Sequence, residues 1–370
     1  MAQASYLDWN AGAPMRAAAR EVLLAALDRT GNPSSVHGHG REARRAVEES
    51  RASVAALVGA SPRSVVFTSG GTEANALALC GSQLPVAVSA VEHASVLAAR
   101  PDAIQVPVDP DGIVALPALD AILAGRGPAL VSVMAANNET GVLQPLRAIA
   151  DLVHARGGIL HCDAVQAAGR IPLDMQALGL DAVTLSSHKI GGPQGVGALV
   201  ARDPSGLRAI LRGGGQEGGL RAGTENVAGI AAFGAAAREA AAEAAGFGAL
   251  ARLRDGLEQA CSEAASATVA VAAGAARIAN TSCLSLPGAQ ASTIVMAMDL
   301  AGFAISAGAA CSSGKVRPSH VLAAMGVPDD VRAGAVRISI GLATPATDIT
   351  RFAAAWGRVA SRLRDARAAA

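Results

Sequence analysis

Aromatic residues and lysine are what this chain of 370 residues has least of: five Phe, two Trp, one Tyr, and lysine only at Lys189 and Lys315. So few aromatics leave no platform on which nucleic-acid bases could stack. Charge of one sign is also missing. With 31 basic and 30 acidic residues, there is no electrostatic case for nucleic acid or an anionic membrane as partner. No run of about eighteen apolar residues occurs, and no basic segment leads into an apolar one at the N-terminus, so the expectation is a soluble, cytoplasmic protein. Five cysteines, an odd number without metal-type pairing, fit a reducing compartment better than a disulfide framework. What is plentiful is alanine, which carries the 51% hydrophobic fraction and points to closely packed Ala-rich helices. The length suffices for two domains.

Short apolar runs rich in β-branched residues (Ser64–Phe67, Val86–Val88, Leu130–Val133, Gly158–His161, Ala182–Leu185, Val196–Val200) alternate with helix-like stretches. That rhythm predicts an α/β fold around a mainly parallel sheet buried on both faces. After the Gly213-Gly214-Gly215 loop, an Ala-rich helix over 226–246 is expected to continue as 250–265. Beyond it come strand-like 278–286, a helix around 292–299, strand-like 336–340 and an arginine-rich amphipathic helix over 349–367. We assign 13–250 to a large domain, and 251–370 with the N-terminal arm 1–12 to a smaller α+β domain.

Several strand ends carry polar residues. Thr68-Ser69-Gly70-Gly71-Thr72-Glu73-Ala74-Asn75 joins a strand to a helix; bare glycine amides, the Thr72 hydroxyl and the helix start make it a candidate phosphate cradle. An ordinary turn with Thr72 as cap would look the same. It is neither a Walker loop nor a G-x-G-x-x-G fingerprint. Glu92-His93 follows the second strand, Asn137-Asn138-Glu139-Thr140-Gly141 the third, and His161-Cys162-Asp163-Ala164-Val165-Gln166 the fourth. The asparagines could equally be turn residues. His161-x-Asp163 and His37-x-His39 have the spacing of metal ligands, but no third ligand stands out and no metal is expected. Ser186-Ser187-His188-Lys189 sets one scarce lysine at the mouth of a further strand. In open α/β sheets, ligands sit outside the carboxyl ends of the strands. A phosphate cradle, a carboxylate for a ring nitrogen and an amine for an aldehyde are the three handles of pyridoxal phosphate.

At this point the chain resembles the fold-type I pyridoxal-phosphate enzymes of aminotransferase class V, and within them group I cysteine desulfurases of the NifS/IscS kind. Separate blocks carry the likeness in order: Phe67 to Glu73, Asn137 to Gly141, His161 to Gln166, Ser187-His188-Lys189, Arg221-Ala222-Gly223-Thr224, and Gly308-Ala309-Ala310-Cys311-Ser312-Ser313-Gly314. The resemblance implies a transferase fold with a mainly parallel seven-stranded sheet and a smaller α+β domain. It implies Lys189 as the Schiff-base lysine, Asp163 as partner of the pyridine nitrogen and Gln166 as partner of the ring oxygen. His93 would stack on the ring and move protons. Gly71, Thr72, Ser186 and His188 would hold the phosphate, with Thr224 reaching it across a homodimer interface. Asn138 and Arg337, and less strongly Asn32, match substrate-binding positions; a guanidinium can grip a carboxylate with two parallel hydrogen bonds.

Cys311 stands at the centre of a small-residue loop, with Lys315 and Arg317 nearby to favour thiolate. By resemblance it is the nucleophile that takes sulfur from L-cysteine as a persulfide, releases L-alanine, and passes the sulfur to an acceptor protein. Iron–sulfur scaffolds, nitrogenase maturation and tRNA thiolation are all compatible as destinations. An aminotransferase or a selenocysteine lyase of the same class, or a catalytically quiet sulfur-transfer scaffold, are the competing readings. Cys80, Cys162, Cys261 and Cys283 are expected to be packing residues. The chain departs from the usual family pattern at Gln216 and Gly218, where histidine and arginine are common.

Overall fold

The computed structural model describes residues 4–308 and 318–368. The chain enters through a short strand, β1 (Ser5–Tyr6), and two helices, Ala17–Leu27 and Gly38–Ala56. Seven strands then build the larger sheet: β2 (Val65–Thr68), β3 (Val86–Ser89), β4 (Ile104–Val106), β5 (Leu130–Ser132), β6 (Ile159–Asp163), β7 (Ala182–Ser186) and β8 (Gly197–Ala201). Their spatial order is β2-β8-β7-β6-β5-β3-β4, and only β8 runs antiparallel to its neighbours. Val, Leu and Ala side chains fill both faces, as helices on either side require. The helix Val227–Phe247 buries Ala232, Ala235, Ala236, Ala237 and Ala240. These small side chains let it lie close to the two N-terminal helices; a Cβ on Gly234 would come 2.7 Å from the Ser50 backbone.

A second, antiparallel sheet has the order β12-β13-β10-β9, from β9 (Val269–Ala270), β10 (Thr281–Ser285), β12 (Ser306–Ala307) and β13 (Ala335–Ser339). A separate strand, β11 (Phe303–Ala304), pairs parallel with β1. Helices Leu250–Ala264, Ala291–Leu300 and Ala346–Ala368 accompany this sheet. Scarce aromatics are spent here: Phe303 meets Phe352 edge-on and Phe352 stacks on Trp356, all buried. The arm continues past β1 along β13, with Asp8 bridged to Ser339.

Several sequence expectations needed revision. β4 was absent from the six apolar runs because it is a three-residue edge strand, only its Val106 fully buried. The stretch read as 278–286 is a strand only over Thr281–Ser285. The Ala-rich helix does not continue unbroken but ends at Phe247, before a new helix starts at Leu250. Cys162, Cys261 and Cys283 are buried, but Cys80 is exposed, on the outward side of the helix Gly71–Gly81. Its thiol donates to the Ala99 carbonyl at 3.2 Å.

One ion pair clamps the strand that feeds the glycine turn. Arg51 reaches Glu217 through two 2.8 Å contacts and donates to the Val65 carbonyl, while Glu217 accepts from the Phe67 amide at 2.8 Å. Removing one partner of a buried pair leaves an uncompensated charge. Arg51→Met should therefore destabilise the protein by about 3 kcal/mol, read as a lower urea midpoint. A loss below about 1 kcal/mol would show that the clamp is solvated.

Candidate active site

Because β2, β3, β5, β6 and β7 run parallel, their carboxyl ends lie along one edge. A cavity of about 300 Å³ opens there, lined among others by Gly71, Thr72, His93, Asn138, Asp163, Gln166, Ser186, His188, Lys189 and Arg337. Ten of the positions that the family resemblance assigns thus share one pocket. Gly71 and Thr72 begin the helix Gly71–Gly81; a Cβ on Gly71 would lie 3.0 Å from Val165, so its bareness preserves the close turn. Lys189 closes the short turn Ser187–Lys189 after β7. Arg337 comes from β13, on the second sheet.

Asp163 terminates β6, where its carboxylate accepts from Asn75 Nδ2 at 2.8 Å and from the Val165 amide at 3.0 Å. Asn75 also donates to Ser95 Oγ at 2.9 Å, which sits 2.7 Å from His93 Nδ1. One amide therefore links the carboxylate to the histidine. His93 caps the helix Ala94–Ala99, its Nδ1 accepting from the Ser95 amide. Burial first, and then the Asp163 charge, push the Glu92 carboxyl well above its ordinary range. Burial, then Lys189 and Arg170, pull His188 down to about 4; it is neutral at physiological pH. Three pocket-lining residues leave a buried polar atom without a partner among the described residues: Asn75 Oδ1, His188 Nδ1 and Arg337 Nε. Native proteins rarely leave such atoms unpaired, so the pocket is built for a polar ligand.

The two asparagines of the third strand end divide the work. Asn137 is a turn residue, its Oδ1 accepting from the Glu139 and Thr140 amides. Asn138 lines the pocket, and its carbonyl accepts from Arg337 at 3.1 Å. Arg337 is further held by Asp8 at 2.7 Å, whose other oxygen accepts from Ser306. Sequence reasoning missed Asp8, Asn10, Asn75 and Arg170 as parts of the site. Asn75 had a signal, since it lies three residues past Thr72 on the same helical face. Asp8 and Asn10 had none, because only tertiary packing brings the arm to the pocket.

Some assigned residues lie elsewhere. Asn32 is exposed, and its side chain accepts from the Ser34 amide in a local turn. Thr224 is exposed and does not line the pocket of its own chain. Cys311, with Lys315 and Arg317, lies outside the described residues. His161 is bound at both ring nitrogens, to Ser132 and Thr184, and burial pulls it down to about 4. Among the described residues, no cluster of three His, Cys, Asp or Glu is placed to hold a metal, and no helix is long and apolar enough to cross a membrane.

The family model for aminotransferase class-V matches residues 5–352, and the chain belongs to that family. Within it, the chain is 41% identical to a cysteine desulfurase of Cereibacter sphaeroides, covering 97% of this chain and 96% of the relative. It is 35% identical to the cysteine desulfurase IscS of Dictyoglomus turgidum, covering 97% and 95%. Among solved structures, a NifS-like protein from Rickettsia africae superposes with a TM-score of 0.90 at 33% identity, covering 97% of this chain and all of that one. The fold is therefore the NifS-like fold type I, a mainly parallel sheet with helices on both faces.

Beside the pocket, Glu139 is buried and accepts from Ser319 Oγ at 2.6 Å. Burial pushes its carboxyl up to about 7, against the opposing pull of the Ser319 hydroxyl, Arg337 and His93. A carboxyl raised on folding favours the fold while protonated, and that contribution is lost as pH rises from its unfolded value, near 4.5, to about 7. Glu139→Gln should remove this loss, so that its stability relative to the parent protein improves by about 3 kcal/mol between pH 4.5 and 8. Denaturant melts across that range give the difference; parallel curves would place the ordinary carboxylate pKa at Glu139.

Proposed function

We propose that this protein is a cytoplasmic, homodimeric L-cysteine desulfurase that uses pyridoxal 5′-phosphate and delivers sulfur through Cys311. The observation that carries the reading is the convergence of Lys189, Asp163, Gln166, His93 and Arg337 on one cavity, in a chain whose near-full-length relatives are cysteine desulfurases. In this reading residues 13–250 hold the cofactor, and 1–12 with 251–370 supply Arg337 and Cys311.

The pocket's residues fit that cofactor. Gly71, Thr72, Ser186 and His188, which line the cavity, would hold the phosphate, with His188 Nδ1, unpartnered among the described residues, as one ready ring nitrogen. Thr224 of a second copy would complete the phosphate site. Asp163 is the carboxylate for a protonated ring nitrogen, Gln166 the donor for the ring oxygen, His93 the stacking ring and Lys189 the amine for the aldehyde. When bound, pyridoxal phosphate supplies an electron sink that makes the Cα–H of an amino acid acidic. Arg337, steered by Asp8 and the Asn138 carbonyl, grips the substrate carboxylate through its free edge, with Asn138 beside it. Lys189 Nζ, and His93 across the pocket, are the groups that take and return the α-proton. The Cys311 thiolate forms the new S–S bond to the substrate sulfur as the C–S bond breaks; the bonding pair stays with the carbon side, Cβ takes up a proton, and the skeleton leaves as L-alanine. The Cys311 persulfide then serves an acceptor protein, with assembly of iron–sulfur clusters or other sulfur cofactors as the destination.

Two variants test this. Cys311→Ala should retain the visible absorbance of bound cofactor yet lose sulfide and alanine formation from cysteine by at least about a hundredfold, the usual scale for a lost nucleophile. Lys189→Ala should lose the absorbance typical of the lysine-linked cofactor. Normal cysteine turnover by Cys311→Ala would sink the assignment.

A further inference from the structure

Arg170 follows Gln166 by one turn and is buried. Among the described residues its guanidinium meets no carboxylate. Nη1 donates to Asn10 Oδ1 at 2.7 Å and to Gln166 Oε1 at 2.8 Å, and Nη2 donates to the Lys189 carbonyl at 3.2 Å. Burying a cation among neutral acceptors is costly, and packing alone gives no reason for a charge here. All three acceptors, however, belong to the site or to the arm that braces it.

These contacts settle which way the Gln166 amide faces. A guanidinium has donors only, so the Gln166 atom it meets must be oxygen. The atom that meets the Asn10 carbonyl, at 3.0 Å, must then be nitrogen. Gln166 is left with one N–H to offer the pocket it lines. The same Asn10 carbonyl accepts from Lys189 Nζ. Asn10 is itself fixed on every side. Its Oδ1 also accepts from Asn280, its Nδ2 donates to Thr281 Oγ1 and the Asn138 carbonyl, and its main-chain N–H donates to Ser339 Oγ.

We propose that Arg170 is a positioning residue that locks the Gln166 amide with its N–H toward the pocket and ties it, through Asn10, to Lys189. The cavity then presents a donor, never an acceptor, to the ring oxygen of its ligand. Without the guanidinium, the Asn10 carbonyl alone orients the Gln166 amide, and the flipped amide, whose oxygen repels a phenolate, becomes more populated. The inference rests on pyridoxal phosphate being the cofactor.

The test is a double-mutant cycle of Arg170→Met and Gln166→Ala, with Arg170→Lys as a milder variant if the first does not fold. Full-length protein stripped of cofactor is titrated with pyridoxal phosphate to obtain Kd, and the pH midpoint of the bound cofactor's visible band is recorded. Arg170→Met should weaken Kd roughly tenfold and move the midpoint, the scale of one charge-assisted contact. In the Gln166→Ala background the same change should cost less than about twofold, because the residue it acts through is gone. Arg170→Lys should show the same dependence on Gln166 with a smaller effect. A loss of equal size in both backgrounds, or unchanged Kd and midpoint, overturns the inference while leaving the proposed function standing. Failure of the unsubstituted protein to take up the cofactor overturns both.

Discussion

The common direction of five strands is the constraint on which this molecule depends. Strands that run the same way bring their carboxyl ends to one edge, where β2, β3, β5 and β6 lead into crossovers and β7 turns back into its antiparallel neighbour β8. Thr72, His93, Asn138, Asp163 and Lys189 come from five such loops, far apart in the chain. Their meeting needs no further device than the sheet. β8 runs against its neighbours between β2 and β7 and brings its buried Gly197 beside the glycine turn, where a Cβ would lie 2.6 Å from Gly70. That edge is therefore shaped by backbone direction first and by side chains second.

The second sheet and the arm supply what one edge cannot. Arg337 enters from β13, and Asp8 and Asn10 from the arm that runs along that strand. Electrostatics across this boundary are handled by neutralisation as much as by pairing. Burial raises the Glu92 carboxyl well above its ordinary range, and it lowers His188 to about 4, which leaves that imidazole neutral at neutral pH. Burial with Arg337 nearby brings Arg170 down to about 9, still a cation at that pH.

The alternation of β-branched runs with helical stretches was legible because buried parallel strands leave an apolar signature. β4 was not legible, since a three-residue edge strand with only Val106 fully buried leaves none. Lys189, Asp163, Gln166 and His93 each sit in a polar block just past an apolar run, their roles came from the family resemblance, and all four line the cavity. Asn32 rested on the family resemblance alone, and its loop keeps it in a local turn away from the cavity of its own chain. Cys80 shows the limit of composition: cysteine is usually buried, but the orientation of its helix turns this one outward.

What the sequence by itself determined is the class of architecture, the order of the strand-end motifs and the chemical types they carry, because local pattern and residue chemistry need no partner to be read. What only the tertiary structure decided is which of the remaining polar residues serve the site. Asp8 and Asn10 lie in an arm with no motif, and Arg170 looks like any arginine near a turn. Each gains its part from partners distant in the chain, Asn10 from Ser339 across 329 positions. Hydrogen bonds of that separation exist only once the arm has docked along β13, and no local rule contains them.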